Sequence, residues 1–497
     1  MQNTPSFYWH DYETFGIGRA EAFPAQFAGR RTDLDLNPLG EGEILYCRPN
    51  RDTLPSPESC ILTGILPQYC EEHGLHEAQF AEEVFRRLAQ PGTIGIGYNT
   101  MSFDDEVTRF LMWRNFRPPY EREFANGCGR WDLYPLVLAL WALRPDGIVW
   151  PRWRDCEAAL SAKRLLPLEP RDPDSLCFKL ECLTEANGIS HEKAHDALSD
   201  VEGTIGLARL IREKKPDFWR WAFEHRDKRH VVEALDAGPV VWCDPSIGIA
   251  RGYVRCVVQI GALGNNPNAA LVWDLMEDPE ELFSLSPEEI RARAFKREAE
   301  LPEGQSRLPI RKLIVNKCPF VCGSLGVLRG RAEFHGIDLE RVKANWEKFT
   351  PERIQAVRAL TASAFSRELW QEEHAKDPVP DADAALYAAG FPSVHDKQAV
   401  RWVRSFSPEK LASAVDAGKI FFENPAYEEL LLRYRGRNAP QWLNDSERAR
   451  WNEFVGLKMA AALPEYKAKL DELEAKLKGR GADLIRALRA WPDRAPF

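Results

Sequence analysis

Over the first two hundred or so residues, short apolar runs alternate with helical windows. Phe7-Tyr8-Trp9-His10-Asp11-Tyr12-Glu13 predicts an aromatic-rich strand, and residues 44–47 and 93–98 predict two more. Helices are predicted at 77–89, where Phe80, Val84, Phe85 and Leu88 share a face, and at 104–115, 132–143 and 197–212. Strands interleaved with helices indicate an α/β layered structure. The proline-dense segment 159–174 reads as a loop. Near Lys214-Lys215-Pro216 the texture changes. A linking helix over 218–235 leads into β-like runs at 240–243, 254–260 and 271–274, with a turn cluster at Gly264-Asn265-Asn266-Pro267-Asn268 and a helix at 287–298. Beyond about residue 350 the pattern is helical to the end. Leu463-Pro464-Glu465 is expected to open a long helix whose Leu470, Leu473 and Leu477 form a packing stripe, over too few heptads for a coiled coil. The expected division is therefore 1–216, 217–350 and 351–497.

Of the 497 residues, 44% are hydrophobic and 28% charged, which fits a folded globular chain rather than a disordered one. No apolar stretch reaches the length of a membrane span, and the N-terminal segment is acidic by Asp11. Neither a transmembrane helix nor a secretory signal is expected, and the cytoplasm is the expected compartment. The eleven cysteines are scattered, with the isolated Cys318-Pro-Phe-Val-Cys322 spacing, and are expected to be reduced thiols rather than disulfides or a zinc site. A net charge of −9 excludes a protein that coats nucleic acid by bulk positive charge. A polyanion would have to meet local basic sites, for which Arg433, Arg435 and Arg437, and Arg307, Arg311, Lys312 and Lys317, are candidates.

Three pieces carry candidate chemistry. Asp11 and Glu13 lie two apart on a strand and so project to one face. Two carboxylates there repel unless a cation lies between them, although D-x-E alone reads more readily as a solvated or salt-bridged pair. Asp104, in Asn99-Thr100-Met101-Ser102-Phe103-Asp104, stands where a loop enters a helix, and by itself reads as a helix cap or first-turn acid. His195 and Asp200 lie five residues apart. On one helix they would diverge by about 140°, so they can converge if His195 precedes the helix, with Asp196 as its cap and Asp200 in the first turns. That would leave His195 on an accessible loop, where a general base belongs, although a lone loop histidine is ordinarily a surface residue.

Together, D-x-E-T, N-x-x-x-F-D and H-x-x-x-x-D, each about ninety residues from the next, resemble the DEDD 3′→5′ exonucleases in their histidine-bearing branch. The runs H-D-Y-E-T-F-G, I-G-Y-N, F-D-D-E-V-T-R, L-R-P-D-G-I-V-W-P, V-N-K-C-P and Tyr434-Arg435-Gly436-Arg437-Asn438 extend the likeness to the bacterial exonuclease I family over essentially the whole chain. The resemblance implies a ribonuclease H-like exonuclease domain, an SH3-like β domain and an all-helical C-terminal domain. It implies processive 3′→5′ hydrolysis of single-stranded DNA to 5′-mononucleotides, in DNA repair and recombination. Asp11, Glu13, Asp104 and Asp200 would hold two Mg²⁺ ions, with Mn²⁺ able to substitute, and His195 would be the general base. Glu13, Phe15, Lys179, Arg109, Tyr120, Phe124, Lys228, Asn268, Arg311 and Asn316 would meet the DNA, with Phe15 wedging against the terminal base. Lys179 stands where the family usually has arginine, which keeps the charge but loses the two-pronged grip on phosphate. The segment 151–174 looks expanded relative to the family. Arg144 would contact the acidic tail of single-strand DNA-binding protein, and the enzyme would be a monomer with no membrane partner. An RNA-trimming or proofreading nuclease with the same site is the enzymatic alternative, although such relatives usually lack anything comparable to residues 217–497. A non-catalytic scaffold is the other alternative, and the intact acids and histidine oppose it.

Overall fold

The computed structural model describes residues 4–190 and 196–492. Its first sheet has the order β3-β2-β1-β4-β5, formed by β1 (Ser6–Thr14), β2 (Pro24–Thr32), β3 (Glu43–Tyr46), β4 (Thr93–Gly97) and β5 (Gly129–Asp132). The first three strands form an antiparallel meander, while β1 and β4 run parallel. That pairing requires a crossover, which the helix Glu77–Leu88 supplies. The two faces of β1 have different jobs. Tyr8 and Tyr12 pack with Phe27 against Phe80, Ala81, Val84 and Leu88 of that helix and Val107 and Leu111 of the helix Asp104–Arg114. The odd-numbered positions, Phe7, Trp9, Asp11 and Glu13, lie on the other face. Gly29 is required where β2 crosses Tyr8, because a Cβ there would lie 2.4 Å from the phenol oxygen.

The second sheet, β10-β6-β7-β8-β9, is antiparallel and is formed by β6 (Val240–Cys243), β7 (Val254–Leu263), β8 (Asn266–Asp274), β9 (Ile310–Ile314) and β10 (Phe320–Cys322). Its core of Val240, Trp242, Val257, Val272 and Leu313 is covered by Val231 and Leu235 of the helix Lys228–Ala237. The chain forms two compact units. One comprises residues 1–130, 149–209 and 379–497, the other residues 131–148 and 210–378.

Several elements differ from the sequence expectation. The helix Trp153–Lys163 enters the segment read as a loop, leaving the proline-rich part to begin after it; Cys156 and Leu160 bury one side of that helix. The linking helix is two, Pro216–Glu224 and Lys228–Ala237, because Asp227 caps the second by accepting from the His230 N–H. The helix predicted to 298 ends at Arg293. Pro464 does not open a helix but lies inside Asp445–Lys476. It faces solvent, where water can satisfy the carbonyl its ring frees. Leu470, Leu473 and Leu477 do form a packing stripe, against Tyr466, Leu484, Ile485 and Leu488. The strands β2, β5, β9 and β10 were not anticipated, and β8 begins five residues earlier than expected, at Asn266.

Candidate active site

The acids converge from three places in the chain. Asp11 and Glu13 lie on β1, and Asp200 sits in the first turn of the helix Ala197–Lys214. One carboxylate oxygen from each lies within 4.8 Å of the other two. Asp104 is the first residue of its helix, is buried, and accepts from the Tyr12 backbone N–H at 3.1 Å. A single backbone amide of β1, between the two strand acids, therefore fixes the third carboxylate beside them. Its position at the head of a helix also places it where the unpaired N–H groups favour negative charge.

Gln26, which the sequence reading missed, holds the fourth element. It pairs with Glu13 across β1 and β2, and its Oε1 accepts the N–H of Ala197, at the start of the helix that carries Asp200, at 3.1 Å. Its Nε2 is anchored on the Tyr46 hydroxyl. Gln26 is buried, and both ends of its amide have the partners that a buried polar group requires.

The electrostatics of this arrangement are unfavourable as it stands. Burial, and then repulsion by Asp104, Asp200 and Glu13, pushes the Asp11 carboxyl well above the usual carboxylate range. Burial, then Asp200, Asp104 and Asp196, does the same to Glu13. Among the described residues, no cationic side chain is a cause of either shift. Asp105, one residue from Asp104, shows the contrast: Arg122 at 2.6 Å and Arg130 at 2.9 Å hold it below the usual range despite burial. A crowded, all-oxygen set of acids fits hard divalent cations.

His195 lies outside the described residues. His10 does not replace it: it is fully buried, its pKa is pushed down to about 4 chiefly by burial, and it alternates to the opposite face of β1 from Asp11.

The structure distributes the other candidates unevenly. Tyr120 and Phe124 are exposed, Phe124 by 70%. Arg109 is not open to a phosphate. Its guanidinium forks onto both oxygens of Glu123 at 2.7 and 2.9 Å, bonds Glu106 at 2.8 Å, and lies 5.3 Å from the centre of the Tyr120 ring. Phe15 is buried among Ala25, Cys60, Ile61 and Tyr466 rather than standing free as a wedge. Lys179 precedes the helix Leu180–Ala186, its ammonium 5.7 Å from the Trp153 ring centre and 3.9 Å from Glu181. Lys228 and Asn268 are brought together at 2.7 Å. Arg311, on β9, bonds the Ser246 carbonyl, and Asn316 is half-buried just beyond that strand. Arg144 donates to the carbonyls of Leu143 and Val327.

The expected basic site at Arg433, Arg435 and Arg437 is instead internal. Arg433 pairs with Asp381 and Asp383, Arg435 with Glu447, and Arg437 with Asp52 and Asp383. These guanidiniums neutralise buried carboxylates and offer no open cationic surface.

Comparison with known proteins follows this geometry. Residues 8–208 match the family described as Exonuclease, residues 226–367 the Exonuclease I SH3-like domain, and residues 380–495 the Exonuclease I C-terminal domain. Exodeoxyribonuclease I of Haemophilus influenzae is 37% identical over 477 residues, covering 94% of this chain and 93% of that protein. The zinc-bound complex of Escherichia coli exonuclease I with single-stranded DNA superposes with a TM-score of 0.85 at 33% identity, covering 98% of this chain and 99% of the other. A crystal structure of SSB/exonuclease I in complex with an inhibitor gives 0.84 at 32% identity, covering 99% of each chain. No helix among the described residues is long and apolar enough to cross a membrane. With three consecutive domain matches and this identity along nearly its full length, the chain belongs to the bacterial exonuclease I family.

Proposed function

We propose that this protein is a divalent-metal-dependent exodeoxyribonuclease that removes 5′-mononucleotides from the 3′ end of single-stranded DNA, processively, in repair and recombination. The observation that carries the reading is the convergence of Asp11, Glu13 and Asp200 within 4.8 Å, with Asp104 tied to the same strand. The Escherichia coli relative solved with single-stranded DNA supports the substrate class, and its zinc supports a divalent metal.

In this reading Asp11, Glu13, Asp104 and Asp200 hold two ions, Mg²⁺ in the cell with Mn²⁺ able to replace it. Such ions would make a water more acidic and offset charge at the scissile phosphate. The protein's own groups do the rest. Asp104 and Asp200 stay in register with Asp11 and Glu13 through the Tyr12 amide and the Gln26 bridge. His195 accepts the proton of the attacking water. Lys179 meets the terminal phosphate as a point charge. Tyr120 and Phe124 offer exposed ring faces for bases, each stack contributing about 1–3 kcal/mol. Arg109 acts on the substrate indirectly, by holding Tyr120 and Glu123 in place. Lys228 with Asn268, and Arg311 with Asn316, form polar positions for phosphates on the β-rich unit. Phe15 contributes as a wall behind Glu13 rather than as a wedge.

We extend the reading to a cytoplasmic monomer organised as residues 1–216, 217–350 and 351–497. The SSB-containing relative supports docking of an acidic tail of single-strand DNA-binding protein, with Arg144 as its contact. The test is digestion of matched 3′-labelled DNA and RNA oligomers with Mg²⁺ or with chelator, comparing the wild type with Asp11→Ala. Mononucleotide release from single-stranded DNA that requires both metal and Asp11 is expected. Preferential digestion of RNA would replace the proposal with the RNA-trimming alternative.

A further inference from the structure

Three cysteines that the proposed chemistry does not use meet in the first unit. Cys156 comes from the helix Trp153–Lys163, Cys177 from the segment before Lys179, and Cys182 from the helix Leu180–Ala186. Their sulfurs lie within 4.8 Å of one another, and those of Cys177 and Cys182 are 3.0 Å apart. All three side chains are buried, and the cluster has just Leu160 as its buried apolar companion, with Trp153 and Leu168 leaning on it. Ordinary buried thiols pack against hydrocarbon; these face each other.

We propose that Cys156, Cys177 and Cys182 form a thiolate site for a zinc ion that clasps the Trp153–Lys163 helix to the turn bearing Lys179.

The geometry suits zinc. Three thiolates at about 2.3 Å from a tetrahedral ion stand about 3.8 Å from each other, within an ångström of the spread seen here. The neighbours suit an anionic centre. The Lys179 backbone amide and ammonium both lie beside Cys177. Amide donors to sulfur and a nearby cation are what surrounds a metal-bound thiolate. Binding is balanced as Zn²⁺ plus three thiols giving a tris-thiolate complex of charge −1 and three protons, with water or another donor in the fourth position. A disulfide accounts for the arrangement less well. It would use two sulfurs and leave the third, and burial shields all three from the exposure that redox-reactive cysteines need. The site is distinct from the acid cluster, whose hard oxygen ligands favour other ions.

The experiment uses the full-length protein, expressed with zinc supplementation and then exhaustively treated with EDTA. Elemental analysis should find about one zinc per chain, released by a mercurial reagent as three thiols are titrated. Cys177→Ser with Cys182→Ser should lose that zinc, whereas Asp11→Asn with Glu13→Gln should keep it. Because the cysteine variant could fold poorly, the wild type is also reconstituted with Co²⁺. A sulfur-to-cobalt charge-transfer band with tetrahedral visible bands supports the proposal. It is overturned by native protein holding no zinc after EDTA, by a Cys177–Cys182 disulfide, by a cobalt spectrum with oxygen ligation only, or by zinc that follows the acids instead of the cysteines.

Discussion

Replacing Asp11 with asparagine should stabilise the metal-free protein while removing its activity. The side chain keeps its shape and loses its charge. At 4.8 Å, two unit charges at an effective dielectric constant of 20 repel by about 3.5 kcal/mol, and Asp11 faces Glu13, Asp104 and Asp200. Protonation limits the penalty. Neutralising an ordinary aspartate at pH 7 costs about 1.36 kcal/mol per unit over about three units, or roughly 4 kcal/mol. The variant should therefore gain about 1–4 kcal/mol without metal, a rise of a few degrees in melting temperature. The sign with pH follows from linkage. The folded pKa of Asp11 lies above its unfolded value, so the folded state binds more protons between the two. Stability of the metal-free wild type then falls as pH rises from about 4 through the folded value, and the variant should flatten that slope. Added Mg²⁺ should shift the balance toward the wild type, since an ion at one hundred times its dissociation constant contributes about 2.7 kcal/mol to a protein that binds it and the variant has lost a ligand. Thermal unfolding followed by circular dichroism between about pH 5 and 8, with EDTA or with Mg²⁺, measures all of this. A metal-free variant that melts below the wild type at the upper pH, or equal Mg²⁺ shifts in both proteins, would refute the reasoning.

Other expectations rest on separate contacts. His195→Ala should reduce turnover by about 10²–10⁴-fold with single-strand affinity largely kept; unchanged turnover in a rapid-quench assay would remove its proposed role. Phe124→Ala should weaken single-strand binding by about 1–3 kcal/mol, measured by fluorescence anisotropy, without altering the melting temperature, because the ring is exposed. Arg437→Met should destabilise the fold in urea denaturation, by less than the roughly 3–5 kcal/mol of a buried charge left without a partner, because Asp52 keeps Lys458 at 3.1 Å and Asp383 keeps Arg433 at 2.8 Å. Arg437 and Arg433 hold Asp383 far below the usual range, so this contribution is present above about pH 4 and lost as pH falls through the folded value. The gap between wild type and variant should accordingly narrow in acid.

Crowded acids next to a fully neutralised one also explain the local economy of charge. Asp104 and Asp105 are sequence neighbours at a helix start, yet Asp105 has Arg122 and Arg130 while Asp104 has a backbone amide. Several buried carboxylates carry arginines, as at Arg109, Arg114 and Arg437, while Asp132 and Asp396 are held by backbone N–H groups. Among the described residues, none pairs with Asp11 or Glu13, the contrast expected if these acids hold ions.

Apolar runs and helical windows by themselves identified β1, β4, the helices over 77–89, 104–115, 132–143 and 197–212, and the change of texture near Pro216. The resemblance to exonuclease motifs singled out the four acids; strand alternation and a helix start then bring Asp11, Glu13 and Asp200 together. The strand Pro24–Thr32 escaped notice because its run PAQFAGRRT mixes Pro, Gln, Gly and Arg with few β-branched residues, and with β2 went the Gln26 bridge. Whether a charge is open or spent was likewise illegible, since Arg109 and Arg437 find their carboxylates on segments 14 to 385 residues away. The three sulfurs at 156, 177 and 182 have no recognisable metal-binding spacing, and chain folding alone brings them together. Sequence fixes the direction of a side chain within its element. Which distant side chain it meets depends on packing between elements, and that meeting decides whether an arginine binds a phosphate or an aspartate, and whether a cysteine is core or ligand.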